Sequence, residues 1–202
     1  PELLIAVDHE GGRVQRFRAG FTAVPPMRTL GERYDEDPWG ALREAQTIGW
    51  PIASELRMHD VEFSFTSVLD LDHGASTVIG NRALHRDPRI VGELAVALRR
   101  GLRQGGASAV GKHFPGHGYV AADSHVALPV DTRPLEDILA SDVAPFAAGS
   151  DDGLEASRPA HVVYPEVDES PAGFSHRWIS NILRERLRFD GFDIVRVGRL
   201  GA

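Results

Sequence analysis

The chain has 202 residues, 42% of them hydrophobic and 25% charged, with a formal net charge of −7 and no cysteine. That length holds one sizeable core in one or two domains. The acidic balance speaks against a nucleic-acid or anionic-membrane surface, which needs clustered Lys and Arg, and the lack of thiols excludes disulfides and thiolate metal sites. A neutral partner such as a sugar remains open. No apolar run approaches the roughly 20 residues that span a bilayer. No basic-then-apolar leader opens the sequence, so a soluble protein of the reducing cytoplasm is expected.

In chain order, the first apolar run is Leu3–Val7, preceded only by Pro1 and Glu2, so the sequence is expected to begin inside a structural element. It ends in Asp8-His9-Glu10-Gly11-Gly12-Arg13. The two glycines permit positive φ or close backbone approach. The stretch lacks the G-x-G-x-x-G spacing and the following helix of a nucleotide loop. Asp37-Pro38 then offers a cap and a first-turn proline for a helix through Ala41–Leu56, with a kink or break expected at Pro51. Phe63–Leu69 reads as a strand leading to Asp70 and Asp72. Asp87-Pro88 starts a second helix, on which Ile90, Leu94, Leu98 and Leu102 keep helical spacing until Gly105-Gly106. Ala107–Val110 is a strand leading to Lys112-His113. Helices over Thr132–Phe146 and Ser175–Leu187 flank a weaker strand near Pro159–Val163, and Phe192–Val197 is a last strand.

Strands alternating with helices imply a parallel α/β sheet. In such sheets ligands meet the carboxyl ends of the strands, which is where the ionisable residues recur here. About five strands and four helices are fewer than the eight of each in a closed (β/α)₈ barrel. The sheet is therefore either open or a piece of a barrel.

Residues 111 to 125, GKHFPGHGYVAADSH, concentrate three histidines, a lysine and an aspartate. Asp123 and His125 are two apart, and in extended chain such positions share a face. A carboxylate there fixes the imidazole tautomer and supports its protonated form. With an ordinary pKa of about 6.5, His125 could then donate and accept a proton near neutrality. Lys112 and His113 can both donate hydrogen bonds to ligand hydroxyls. A metal site remains as a rival, although Pro115-Gly116 breaks the helix that an i, i+4 pair of His113 and His117 would need. Arg16 and Arg82 are candidate polar clamps.

The motifs IAVDHEGGRVQRF, FSFTSVLDLD, VIGNRALHRDP and GKHFPGHGYVAADSH, in this order, closely resemble the bacterial β-N-acetylhexosaminidases of glycoside hydrolase family 3. The match runs from about residue 3 to 146 and resumes over PAHVVYP and PAGFS. The resemblance implies that residues 1–202 are one N-terminal-type catalytic domain, in part, of the (β/α)₈ TIM-barrel class. It implies a metal-free, cofactor-free and monomeric retaining enzyme that releases terminal β-linked N-acetylglucosamine from muropeptides in cell-wall recycling. Carried over by motif, Asp8, Arg16, Arg82, Lys112 and His113 bind the sugar, and His125 is the acid/base oriented by Asp123. Retention also needs an attacking carboxylate. In the family it follows F-D-G in a segment like V-I-F-S-D-D, whereas here Phe189-Asp190-Gly191 is followed by FDIVRVGRLGA. Arg196 takes the nucleophile's place and Asp193 is the remaining carboxylate, inside a strand. The alternative is a non-catalytic copy that binds N-acetylglucosamine or a partner. AAGSDDGLEASRPAHV is a second departure: Asp151, Asp152 and Arg158 stand where the family is mostly buried, a costly exchange unless the strand is displaced.

Overall fold

The structure, a computed structural model, describes residues 4–121 and 128–194. The chain opens with β1 (Ala6–Val7), β2 (His9–Gly11) and β3 (Val14–Gln15), followed by α1 (Arg28–Glu36) and α2 (Pro38–Arg57). Next come β4 (Phe63–Ser64), a single 3₁₀ turn Gly80–Arg82, α3 (Pro88–Gln104) and β5 (Val110–Phe114). Short helices α4 (Leu135–Ala140) and α5 (Ala144–Asp151) lead to β6 (Ala156–Pro159) and the hairpin β7 (Val163–Tyr164) and β8 (Asp168–Pro171). A π-type helix, Arg177–Arg186, precedes β9 (Phe192–Asp193).

β1 pairs in parallel with β4, and β6 pairs in parallel with both β5 and β9. Parallel bridges Phe63↔Ser108 and Val68↔Lys112 carry the ladder from the β4 segment to β5. Five parallel strands thus stand in the order in which the chain makes them, with helices in each crossover. This is the expected α/β architecture, and among the described residues the sheet does not close into a barrel.

Both Asp-Pro helix starts form as read. Asp37 accepts from Gly40 N at 2.9 Å, and Asp87 accepts from Arg89 N at 2.8 Å, so each cap satisfies an otherwise orphaned donor. The stripe Ile90, Leu94, Leu98 and Leu102 is buried on a helix that packs mainly against α2 and α5. Pro51 does not break α2, which runs unbroken through it. Ala41, Ala45, Ile52, Ala53 and Leu56 bury one face of α2, and that burial offsets the one backbone bond a proline forfeits. The α2–α3 crossing is closer than side chains allow. A Cβ on Gly101 would lie 1.9 Å from the Gln46 carbonyl oxygen, and one on Gly49 would lie 2.3 Å from that of Leu98.

Several boundaries differ from the sequence reading: the expected strands Leu3–Val7 and Phe63–Leu69 are regular only over Ala6–Val7 and Phe63–Ser64. The expected strand Ala107–Val110 begins at Val110 and runs on to Phe114, so Lys112 and His113 lie inside β5, not after it. The expected strand near Pro159–Val163 divides into β6, which ends at Pro159, and β7. The expected helix Thr132–Phe146 is interrupted at Ser141-Asp142. There Pro145 cannot donate to the Ser141 carbonyl, and the buried Asp142 carboxylate is held from outside the helix by Arg133 and His73.

Gly101→Val is expected to lower the unfolding free energy by about 1–3 kcal/mol, the usual cost of overpacking. Urea denaturation followed by far-UV circular dichroism measures it, and an unchanged midpoint would contradict the close crossing.

Candidate active site at the carboxyl ends of the parallel strands

The first strand delivers two carboxylates to one spot. Ser64 Oγ donates to the His9 carbonyl at 2.9 Å and accepts from His9 N at 3.2 Å, while Thr66 Oγ1 donates to the same carbonyl at 3.1 Å. With His9 fastened in this way, Asp8 and Glu10 project to one side. The turn into β3 needs Gly11 and Gly12 at φ 97° and 53°, which glycine adopts without the Cβ penalty.

Lys112 meets these carboxylates from β5. Its side chain has no solvent exposure, and Nζ lies 2.6 Å from Asp8 Oδ1 and also pairs with Glu10 Oε1. Arg82 clamps Glu10 through Nε to Oε2 and Nη2 to Oε1, both at 2.8 Å. Burial pushes the Asp8 and Glu10 carboxyls up, yet both stay below the ordinary range. Burial is the largest single influence at each, and it is outweighed by the cations together: Lys112 with Arg158 and Arg82 at Asp8, and Lys112 with Arg82 at Glu10. A buried ammonium is tolerated only when paired like this.

His113 follows in the same strand. Its Nδ1 lies 2.7 Å from Oδ2 of the fully buried Asp70. Asp70 Oδ1 also accepts the backbone N–H of His117 at 2.7 Å. Burial lowers the His113 pKa to about 4; Asp70 pulls it upward, and Lys112 and Arg82 push it further down. Asp70 falls to about 2 against the effect of burial, because His113 and the His117 backbone favour its charged form. Near neutrality the ring is therefore uncharged and donates Nδ1–H to Asp70.

Arg158, on β6, stands in register with Lys112. Its Nη1 lies 3.6 Å from Asp8 Oδ1, and its guanidinium sits 5.0 Å from the centre of the Phe65 ring. This corrects the expectation for residues 151 to 158, since the strand is not displaced. Asp151 is exposed, Asp152 pairs with Arg99 at 2.6 Å and with Arg100 at 2.9 Å, and Arg158 faces the carboxylate cluster.

Asp8, Arg82, Lys112 and His113 are thus brought together. Arg16 is exposed just after β3 and makes no ion pair with the cluster among the described residues. Asp123 and His125 lie outside the described residues. Glu10, Asp70 and Arg158 join the cluster although sequence reasoning gave them no such place. For Glu10 the i, i+2 rule applied to Asp123 and His125 was available; for Asp70 the signal was its position at the end of an apolar run. Asp193 stands on β9 in register with Ser157, and its carboxylate pairs with Arg184 of the flanking helix. Among the described residues no group of three or more His, Asp or Glu is placed to hold a metal ion, and His113 Nδ1 is already committed to Asp70.

A second polar network borders the same region. Arg133 pairs with Asp131 at 2.7 Å and with Asp142 at 2.8 Å, and its guanidinium lies 3.9 Å from the centre of the Tyr119 ring. His73 Nε2 meets Asp142 at 3.0 Å, and the Tyr164 hydroxyl donates to the Gly116 carbonyl. The described ends of the segment that contains Asp123 and His125 are therefore both tied to the body of the protein.

Residues 2–196 match the Glycosyl hydrolase family 3 N terminal domain. A beta-hexosaminidase of Methylobacillus flagellatus is 59% identical over 191 residues, covering 95% of this chain and 55% of that relative. One of Bordetella avium is 62% identical over 190 residues, covering 94% and 54%. The structure of NagZ from Neisseria gonorrhoeae in complex with N-trifluoroacetyl-D-glucosamine superposes with a TM-score of 0.94 at 52% identity, covering 97% of this chain and 58% of that one. The native form of the same protein gives a TM-score of 0.93 at 52% identity, covering 96% and 56%. The chain spans about half the length of the curated relatives it matches.

Because the folded chain keeps His113 neutral down to about pH 4 while the unfolded chain protonates it near pH 6.5, the unfolded state binds more protons between these values. Stability is expected to fall as pH drops from about 6.5 to about 4. The slope should lessen in His113→Gln, as read by denaturation midpoints across that range. A ring-shift titration by NMR with a midpoint near 6.5 would contradict the buried neutral form.

Proposed function

The chain belongs to glycosyl hydrolase family 3, and from that premise we propose that it carries the sugar-binding side of a retaining exo-β-N-acetylglucosaminidase acting on terminal β-linked N-acetylglucosamine. The observation that carries this reading is the convergence of Lys112, Asp8, Glu10 and Arg82 beside the His113–Asp70 pair. Donors and acceptors of fixed orientation are what a polyhydroxylated neutral ligand requires. The sugar analogue bound by the Neisseria NagZ relative supports the same ligand class. In this reading residues 1–202 are one catalytic domain, in part, and the five parallel strands are an arc of a (β/α)₈ barrel, whose sites lie at the carboxyl ends of the strands.

The role of each group follows from its chemistry. Asp8 accepts from sugar hydroxyls, while Lys112, Arg82, Arg16 and the free edge of His113 donate to them or to the acetamido oxygen. His125, oriented by Asp123, protonates the leaving glycosidic oxygen as a carboxylate attacks the anomeric carbon; His125 then takes a proton from the water that releases the sugar. The substrates are muropeptide fragments in the cytoplasm, and the protein is a monomer. No helix among the described residues is long and apolar enough to cross a membrane, which is compatible with this location.

One observation favours a second reading, a copy that binds N-acetylglucosamine without cleaving it. After Phe189-Asp190-Gly191 the carboxylate at hand is Asp193, and Arg184 of the outer helix engages it. The binding cluster is assembled while the attacking group is not in place among the described residues. The 202-residue chain is therefore expected to hydrolyse an aryl β-N-acetylglucosaminide at background rate. It is also expected to give saturable heat with N-acetylglucosamine in calorimetry, which Arg82→Ala removes. Turnover that His125→Ala abolishes would instead establish full catalysis in this chain. No saturable heat from a folded chain would sink both readings.

A further inference from the structure

Arg158 belongs to neither the motifs of the resemblance nor any role assigned above, yet three observations put it in the binding cluster. First, β6 is in parallel register with β5 so that Arg158 stands opposite Lys112, and both side chains reach one atom, Asp8 Oδ1, at 3.6 Å and 2.6 Å. Second, the guanidinium lies 5.0 Å from the Phe65 ring centre, on the ring that Lys112 Nζ approaches to 5.8 Å. A planar cation over an aromatic face is held in orientation, and its guanidinium carries five N–H donors. Third, Asp8 keeps a side-chain exposure of 34% whereas Lys112 has none. Ligand therefore reaches Asp8 on an open side.

We propose that Arg158 is a further sugar-binding residue, which donates to the same ligand hydroxyl that Asp8 accepts from. The inference rests on the sugar-binding reading given above. A spacing of 3.6 Å is too long for a direct hydrogen bond but short enough for one oxygen to touch both groups. A hydroxyl can give its proton to the Asp8 carboxylate and accept from the guanidinium at once. Charge assistance on both sides makes such a pair about twice as strong as neutral hydrogen bonds. Because Arg158 also shares Asp8 with Lys112, a ligand that inserts its hydroxyl costs Asp8 no direct bond.

Calorimetry with N-acetylglucosamine on the 202-residue chain tests this, using Arg158→Gln, Asp8→Asn and the double variant, each first shown by circular dichroism and thermal melting to be folded. Arg158→Gln is expected to weaken binding roughly tenfold or more with the melting temperature unchanged. The double variant is expected to bind no worse than the weaker single variant, since both residues serve one hydroxyl. Arg158→Lys, which keeps the charge and loses the fork, should fall between wild type and Arg158→Gln, and it carries the test if Arg158→Gln does not fold. Equal or tighter binding in the folded Arg158 variants would overturn the proposal and leave the sugar-binding reading intact, and so would additive losses in the double variant. An unmodified chain that is folded and gives no saturable heat overturns that reading, and the role of Arg158 with it.

Discussion

A lysine ammonium with no access to water needs carboxylates around it, and much of this molecule is arranged to supply them. Lys112 enters from β5, Asp8 and Glu10 from the first strand and its hairpin, and Arg82 from a turn more than seventy positions after Glu10 in the chain. Removing one member of such a set strands the others, which typically costs about 3–5 kcal/mol. The register of β1 against β4, and of the β4 segment against β5, is thus fixed by charge as well as by backbone bonds. Ser64 and Thr66 extend the same constraint by fastening the His9 backbone from the neighbouring strand.

What the chain announces locally was readable. Asp37 and Asp87 cap their helices because an aspartate ahead of a first-turn proline has one obvious use, and the four-residue spacing from Ile90 to Leu102 leaves one face of α3 to bury. The ends of the strands were harder. β1, β4 and β9 each have two residues in regular pairing, too few for alternation to declare itself, and β5 carries Lys112 and His113 inside it because their partners come from other strands. The hairpin of β2 and β3 was missed for the same reason: its seven residues are mostly polar, and the glycine pair was read as permitting positive φ or close approach without a hairpin being drawn from it.

Charge was the least legible property. Asp152 and Arg158 look alike on paper, two ionisable residues in a passage that ought to be apolar. In space they part company. Asp152 precedes β6 and neutralises Arg99, a buried arginine of α3, from the amino end of the sheet. Arg158 leaves the same strand at its carboxyl end and turns to Asp8. Six positions in the chain separate a structural ion pair from a place in the carboxylate cluster, and only the direction of the strand tells them apart.

The stacking of Lys112, Arg82 and Arg158 against Asp8, Glu10 and Asp70 sets three positive charges against three negative ones, with His113 uncharged between them. A cluster with balanced charge projects little field beyond its own walls, since each cation's potential is cancelled within a few ångströms, less than the Debye length of about 8 Å at physiological ionic strength. Such a mouth neither draws in anions nor repels them at a distance. For the uncharged sugar proposed above, capture would then depend on fit at contact and respond little to salt.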